Sequence, residues 1–268
     1  MPKVSIIMST FNGSKYICDA IESIISQTFS DWELIICDDC STDDTYKILT
    51  KYSAKYPEKF IIFQNKNNLR LAASLNECLK YASGEYIARM DDDDISLPER
   101  FSCQVKFLNE HPDVSYVCSN CYLFDNDNNI WGVSINKRPL TVENIYKYQL
   151  IVHPTVMIRK DVLTQVGGYT VARYTRRTED FDLWCKLCSE KKTGFNLDEI
   201  LLKYREDNHS FKKRKAKYRV DAFKLRMIWR RRLNLPLRYD LYAYAALMKI
   251  LIPSPIIKIF HKRITRIK

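Results

Sequence analysis

The first 90 residues alternate four times between a short apolar run and a segment with helical spacing, and this repeat constrains the fold most. The apolar runs predict strands at 3–9, 32–37, 60–63 and 86–90. After the first run, Ile17, Ile21 and Ile24 recur at the spacing of one helix face. Four successive β-α units form a parallel sheet with right-handed crossovers and helices on both faces. The sequence therefore predicts an α/β fold with a mostly parallel sheet.

Polar side chains follow three of these predicted strands at the point where each one ends. Thr10, Phe11 and Asn12 follow the first strand, Asp39 follows the second, and the four aspartates at 91–94 follow the fourth. The carboxyl ends of parallel strands form one edge of the sheet, where ligands bind. Adjacent carboxylates repel one another, and Mg²⁺ or Mn²⁺ would relieve that repulsion. This edge suits ribose hydroxyls and a metal-bridged diphosphate, although a solvated acidic loop would also explain the aspartates alone.

Positive charge is concentrated at the carboxyl-terminal end of the chain. The net charge is +11, but residues 211–268 contain 18 Lys and Arg against 2 acidic residues, which leaves 25 against 30 before them. The part with the organised core is therefore slightly acidic, which argues against a nucleic-acid partner. We expect a catalytic domain over 1–210 and a basic, amphipathic helical tail over 211–268. The tail would attach to an anionic membrane surface, or its helices would pack on the domain or form a dimer contact.

The amino-terminal residues and the cysteines bear on location. Met1 to Lys3 lead directly into an apolar run that is too short for a secretion signal or a membrane span. We therefore expect a cytoplasmic protein, peripheral on the inner membrane. Three of the cysteine pairs have C-x-x-C spacing, but they lie far apart in the sequence, so reduced thiols are expected rather than a zinc site.

Four blocks of sequence resemble the family 2 glycosyltransferases. They are VSIIMSTFNGSKYICDAIESIISQTFSDWELIICDDCSTDDT, NNLRLAASLN, ARMDDDDISLPER, and HPTVMIRKDVLTQVGGY followed by TEDFDLW. The resemblance covers about residues 1–205, and it is specific because all four blocks occur in order. It implies the Rossmann-like GT-A fold, inversion at the sugar, and a place in bacterial surface-polysaccharide synthesis.

The resemblance also implies roles for the residues at the sheet edge. Thr10, Phe11 and Asn12 would line the base and ribose pocket, and Asp39 would bind the nucleobase, usually uracil. The D-x-D motif of the family corresponds to the first three aspartates of the run. Asp91 or Asp92 would lie near the ribose, and Asp93, with Asp91, would hold Mn²⁺ or Mg²⁺ against the diphosphate.

Five further residues receive predictions. Asp180 matches the general base of the family's E-D pair, with Glu179 beside it, although a helix dipole alone also favours acids at a helix start. Arg70 stands where family members often have glycine, and it would either reach a phosphate or remain exposed. His153 and Trp184 are predicted on the acceptor side. For a lone histidine a structural role is the more frequent one.

These observations predict a metal-dependent inverting glycosyltransferase of the hexosyltransferase type. The donor would be a nucleotide-diphosphate sugar, expected to be UDP-linked, and the acceptor a hydroxyl of a glycan or lipid-linked glycan. Two alternatives stay open. A nucleotidyltransferase would usually carry a glycine-rich basic loop after the first strand, of which residues 10–15 are a faint version. A nucleic-acid-binding protein acting through the tail would leave the aspartates unexplained.

Overall fold

A computed structural model describes residues 1–206, 216–248 and 250 of the chain. The strands are β1 (Val4–Thr10), β2 (Trp32–Asp38), β3 (Phe60–Gln64), β4 (Tyr86–Met90), β5 (Ile95–Ser96), β6 (Tyr116–Phe124), β7 (Ile130–Ser134), β8 (Met157–Arg159) and β9 (Gly194–Arg205). The helices are α1 (Ile17–Ile25), α2 (Thr45–Lys55), α3 (Leu71–Tyr81), α4 (Arg100–Glu110), α5 (Val142–Tyr148), α6 (Lys160–Gln165), α7 (Glu179–Ser189), α8 (Ala216–Arg232) and α9 (Asp240–Met248).

The amino-terminal half of the sheet has the predicted parallel arrangement, in the order β3-β2-β1-β4. Strand β1 is buried on both faces: Ile6 packs into the core on one side of the sheet and Ile7 into the core on the other. This explains why β1 has a continuous apolar run rather than an alternating one. In this register Thr10 pairs with Asp38, so the loops after β1 and β2 leave the sheet at the same edge.

Beyond β4 the sheet is mixed. Strand β8 runs antiparallel to both β4 and β6, and the predicted hairpin joins β6 to β7 through residues 125–129. Strand β9, which no pattern in the sequence predicted, lies parallel to β6 and antiparallel to the short β5. Through these pairings β9 connects the second half of the sheet to the segment directly after the four aspartates.

Helices α8 and α9 belong to the predicted basic tail. Leu225 and Trp229 of α8 are buried against Tyr146 of α5 and Phe181 of α7. Packing of tail helices on the domain was one of the alternatives for this region, and it is observed for these residues. None of the described helices combines the length and the apolar character needed to cross a membrane. The basic run at 212–215 and the segment 251–268 lie outside the described residues.

All nine cysteines are free thiols. Within residues 1–206, 216–248 and 250, the acidic, histidine and cysteine side chains close enough together to hold a metal ion are aspartates alone. The C-x-x-C pairs therefore do not converge on a zinc site in that part of the chain.

Candidate active site

The loop after β1 is tied to the loop after β2 by Asn12. The Asn12 amide donates to Ser41 Oγ (2.9 Å), and Asn12 Oδ1 accepts a hydrogen bond from the Thr42 amide (2.8 Å). Asn12 itself has the left-handed conformation, with φ of 54°. Phe11 beside it is 49% exposed, which is unusual for a phenylalanine that follows a buried strand. The loop therefore presents an aromatic ring at the sheet edge, where Phe11 and Asn12 are predicted to bind the nucleotide.

The same loop meets the aspartate run through Thr10 and Gly13. Thr10 Oγ1 donates to Asp92 Oδ2 (2.5 Å), so Asp92 turns toward β1. A Cβ atom on Gly13 would lie 2.4 Å from both Thr10 Oγ1 and Asp92 Oδ2, so any larger residue would displace the Thr10 hydroxyl or the Asp92 carboxylate. Burial raises the pKa of Asp92 to about 6. Thr10 and Asp92 are thus brought together, as their predicted shared role at the ribose requires.

Asp39 is buried and organises the chain ahead of α3. Its Oδ1 accepts hydrogen bonds from Asn65 Nδ2 (2.9 Å) and the Leu69 amide (2.7 Å), and its Oδ2 accepts one from the Arg70 amide (2.7 Å). An ionised carboxylate has about four acceptor positions, so about one remains for a ligand such as a nucleobase N–H.

Arg70 occupies a backbone conformation with φ 76° and ψ 166°. This region is almost restricted to glycine, and other residues adopt it at a cost of about 1–3 kcal/mol. The Arg70 side chain is exposed at the amino terminus of α3. The conformation accounts for the glycine often found here in the family that the sequence resembles.

Three of the four aspartates form a group suited to a divalent cation. One carboxylate oxygen from each of Asp91, Asp93 and Asp94 lies within 4.8 Å of the others. Asp94 is fully buried, and its Oδ2 has no hydrogen-bond partner among the described residues. Burial, followed by the charges of Asp91 and Asp92, raises the pKa of Asp93 to about 7. Clustered oxygen ligands with an unsatisfied buried oxygen fit Mg²⁺ or Mn²⁺, and Asp94 joins the predicted ligands Asp91 and Asp93.

Two arginines that the sequence analysis missed hold this group in place. Arg89 is buried in β4 and pairs with Asp91, while its Nε and Nη1 find no partner in the part of the chain that the structure describes. Arg205, the last residue of β9, donates its amide to Asp94 Oδ1 (2.8 Å) and its Nε to the Asp93 carbonyl (2.8 Å). A charged residue inside the apolar run of β4 was the available signal for Arg89. Arg205 carried no such signal because β9 itself was not predicted.

A second acidic group, Glu179 and Asp180, begins helix α7. Burial and the neighbouring Asp180 raise the pKa of Glu179 to about 7. Burial also raises the pKa of Asp180, and the charge of Asp91 adds to that shift, so the charges of the two acidic groups act on one another. Asp180 Oδ1 accepts a hydrogen bond from the Phe181 amide (2.8 Å), which leaves Oδ2 for an incoming hydroxyl.

Helix α7 is supported from behind by α8. Trp229 Nε1 donates to Asp182 Oδ1 (2.7 Å), and both residues are buried. The guanidinium of Arg226 lies 4.4 Å from the centre of the Phe181 ring. The helix that carries Glu179 and Asp180 is therefore positioned by residues from the tail.

His153 and Trp184 are buried side by side. His153 Nε2 is 2.8 Å from the Tyr169 hydroxyl, and its ring meets the Trp184 ring edge-on at 5.7 Å. Burial and the charge of Arg89 lower the pKa of His153 well below its usual value, so the ring is neutral. Trp184 also stacks on Tyr116 at 5.9 Å. These contacts are those of packing residues, and an acceptor contact for either one stays a prediction.

Residues 5–167 match the family described as Glycosyl transferase family 2. The chain belongs to this family. Family membership selects glycosyl transfer over the nucleotidyltransferase and nucleic-acid-binding alternatives. The GT-A fold expected from the resemblance is confirmed, with the mixed second half described above.

Curated relatives and solved structures agree with this membership. EpsE of Bacillus subtilis (strain 168), which carries a provisional description as a glycosyltransferase, is 40% identical over 98% of this chain and 94% of its own length. The UDP-Glc:alpha-D-GlcNAc-diphosphoundecaprenol beta-1,3-glucosyltransferase WfaP of Escherichia coli is 33% identical over 76% of this chain and 78% of its own. TarS of S. aureus, solved with UDP-GlcNAc, is 21% identical and superposes with a TM-score of 0.70 over 93% of this chain and 71% of its own.

Proposed function

We propose that this glycosyltransferase moves a sugar from a UDP-sugar, with inversion and with a divalent metal, to a hydroxyl of a lipid-linked glycan during cell-surface polysaccharide synthesis. The observation that carries the proposal is that two acidic groups, Asp91 with Asp93 and Asp94 and Glu179 with Asp180, lie close enough for their charges to interact. A leaving diphosphate needs its negative charge neutralised, whereas an attacking hydroxyl needs to lose its proton. Two separate acidic groups, one that binds a metal and one that acts as a base, can meet these two needs. The UDP and lipid-diphosphate names of WfaP and the UDP-GlcNAc bound to TarS support the substrate classes.

The donor would bind along the edge formed by β1, β2 and β4. Asp39 has one acceptor position left for the nucleobase, and Phe11 offers a ring for stacking beside Thr10 and Asn12. Asp92, held by Thr10, would face the ribose. Arg70 would reach a phosphate from the start of α3.

Asp91, Asp93 and Asp94 would hold Mn²⁺ or Mg²⁺, which when bound neutralises charge on the departing diphosphate. Arg89 holds the Asp91 carboxylate, and Arg205 holds the Asp94 carboxylate and the Asp93 backbone, before any ligand arrives, so little reorganisation is needed on binding.

Asp180 would serve as the general base. The acceptor hydroxyl oxygen forms a bond to the anomeric carbon from the face opposite the diphosphate, and the bond to UDP breaks with its electron pair leaving on UDP. The hydroxyl proton passes to Asp180 Oδ2, which burial makes a stronger base than an exposed aspartate. Glu179, whose pKa is about 7, would influence the charge of Asp180 as its neighbour and would not act as a second base.

Substitution of Asp180 tests this division of labour. Asp180→Asn should lower turnover of UDP-sugars at least about 100-fold, the usual contribution of a general base, while Mn²⁺-dependent UDP binding measured by calorimetry stays within about twofold. Glu190→Gln, an exposed acid just beyond the other end of α7, is the control and should change neither quantity. Loss of UDP binding in Asp180→Asn would give that residue a structural role. Failure of UDP, GDP and dTDP to bind the wild type, with or without Mn²⁺, would overturn the proposed donor class.

The proposed division of the chain is a transferase domain over 1–210 and a basic tail over 211–268 that brings a cytoplasmic enzyme to the membrane surface. Because α8 packs against α7, removing the whole tail would expose Phe181 and its neighbours. Flotation with anionic vesicles should therefore compare the full chain with residues 1–250. Equal flotation of both would rule out the last 18 residues as the anchor.

A further inference from the structure

A cavity of about 480 Å³ lies beside helix α5, outside the site described above. One wall is residues 134–138, which run from the last residue of β7 onward, and the other is residues 148–150 with Val152, which run from the last residue of α5 onward. We call it the α5 pocket. Its volume is within the range of small-ligand sites, roughly 300–1,000 Å³. No acidic residue lines it.

The α5 pocket has the side chains of an anion site. Lys137 and Arg138 are exposed in its wall, and neither forms an ion pair with the residues that the structure describes. The guanidinium of Arg138 lies 4.2 Å from the centre of the Tyr148 ring, which orders its planar fork of N–H donors. Two neighbouring cations without an ion pair among the described residues, one of them ordered on an aromatic ring, favour a phosphate-like ligand.

The pocket is also close to the acidic groups. Val152 lines it, and four residues later the Val156 carbonyl accepts a hydrogen bond from the Arg89 amide (3.0 Å). Four residues of extended chain span at most about 14 Å. Arg89 in turn pairs with Asp91. His153, the neighbour of the lining residue Val152, packs edge-on against Trp184, which lies four residues along α7 from the proposed base Asp180, so the pocket borders the helix that carries this base.

We propose that the α5 pocket binds the diphosphate of the acceptor, with Lys137 and Arg138 contacting its oxygens and the half-exposed Tyr148 ring packing against the attached sugar. The inference rests on the proposed function, since it names the acceptor of that site. The shared chemistry is a diphosphate, and its source is either a lipid-linked diphosphate or a free one.

Binding of inorganic pyrophosphate in EDTA tests the pocket separately from the metal group. Wild-type full-length protein should bind pyrophosphate at one site by calorimetry, and Lys137→Ala with Arg138→Ala should weaken that binding at least about tenfold. The matched control is Lys47→Ala with Lys51→Ala, which removes two exposed charges from α2 and should leave binding unchanged. Absence of binding by the wild type, or equal binding by the pocket variant, would overturn the proposal.

Vesicles identify the source of the diphosphate. If it is lipid-linked, wild type should bind vesicles with undecaprenyl diphosphate more tightly than plain vesicles, and the pocket variant should lose only that increment. Binding of pyrophosphate without such an increment would overturn the lipid-linked acceptor and assign a free diphosphate. UDP binding with Mn²⁺ should be the same in wild type, pocket variant and control, so its failure would count against the donor proposal alone.

Discussion

The two acidic groups of the site are built in different ways. Asp91, Asp93 and Asp94 are held by the sheet, through Arg89 of β4 and Arg205 of β9. Glu179 and Asp180 are held by a helix, and that helix is supported by α8 from the tail. The family match ends at residue 167, so the proposed base and its support both lie beyond the matched region. The proposed metal ligands thus follow the repeating first part of the chain and are held by strands from both halves of the sheet, whereas the proposed base is supported by packing between two helices late in the chain.

The largest effect is expected from a change in the sheet-held group, Asp91, Asp93 and Asp94. Asp94→Asn keeps the acceptor for the Arg205 amide but cannot ionise to bind a cation, so Mn²⁺-dependent UDP affinity should fall about 100-fold. Calorimetry with and without Mn²⁺ measures this. Asp113→Asn, at an exposed position, is the control. Unchanged Mn²⁺-dependent affinity in Asp94→Asn would restrict the ligands to Asp91 and Asp93.

A smaller effect is expected from the helix-held group. Trp229→Phe leaves the Asp182 carboxylate buried without its indole donor, which costs about 1–3 kcal/mol and loosens α7. We expect kcat to fall about tenfold with the KM for donor unchanged, because a base displaced by a fraction of an ångström loses alignment. Trp32→Phe, a buried tryptophan at the start of β2, is the control for general destabilisation. An equal loss of kcat in both variants, measured well below their Tm, would contradict a positioning role for α8.

The pH dependence of stability should differ with and without metal. Asp93 and Glu179, each with a pKa of about 7, hold protons in the folded protein that the unfolded chain releases near pH 4. Stability without metal should therefore fall as pH rises from about 4 to 7. Mn²⁺ binds the ionised carboxylates, so the Tm increase that it causes should grow from about pH 6 to 8. Two results would contradict this account. One is an equal Mn²⁺-induced increase in Tm at about pH 6 and 8, and the other is a fall in stability with pH that is as large in Asp93→Asn as in the wild type.

The smallest expected effect concerns Arg70. Arg70→Gly relieves the glycine-type backbone conformation and should raise the free energy of unfolding by about 1 kcal/mol. If the side chain contacts a phosphate, affinity for UDP should fall several-fold at the same time. Arg70→Ala removes the same side chain while keeping the strain, so it should lose affinity without gaining stability. A variant that gains stability with unchanged affinity would make Arg70 an exposed residue only.

The sequence predicted those features of the fold whose cause lies within a single strand or helix. The buried strand β1, the helix face at Ile17, Ile21 and Ile24, and the aspartates after β4 were each predicted from neighbouring residues. Strand β9 was missed because exposed polar residues such as Asp198 and Glu199 interrupt its apolar pattern. Contacts between residues far apart in the chain, such as those of Arg205 with Asp94 and of Trp229 with Asp182, leave no local pattern to read.

The position of β9 has a consequence for how the protein matures during synthesis. This strand is the last of the nine described strands in the chain, yet it lies between β6 and β5 rather than at the edge of the sheet. The Arg205 amide that holds Asp94 is therefore made long after the aspartates themselves. A nascent chain would already contain β1 to β4 while β5 and β6 still waited for their shared neighbour. Until residue 205 had left the ribosome, the edge of β6 that pairs with β9 would stay open and would need protection from aggregation.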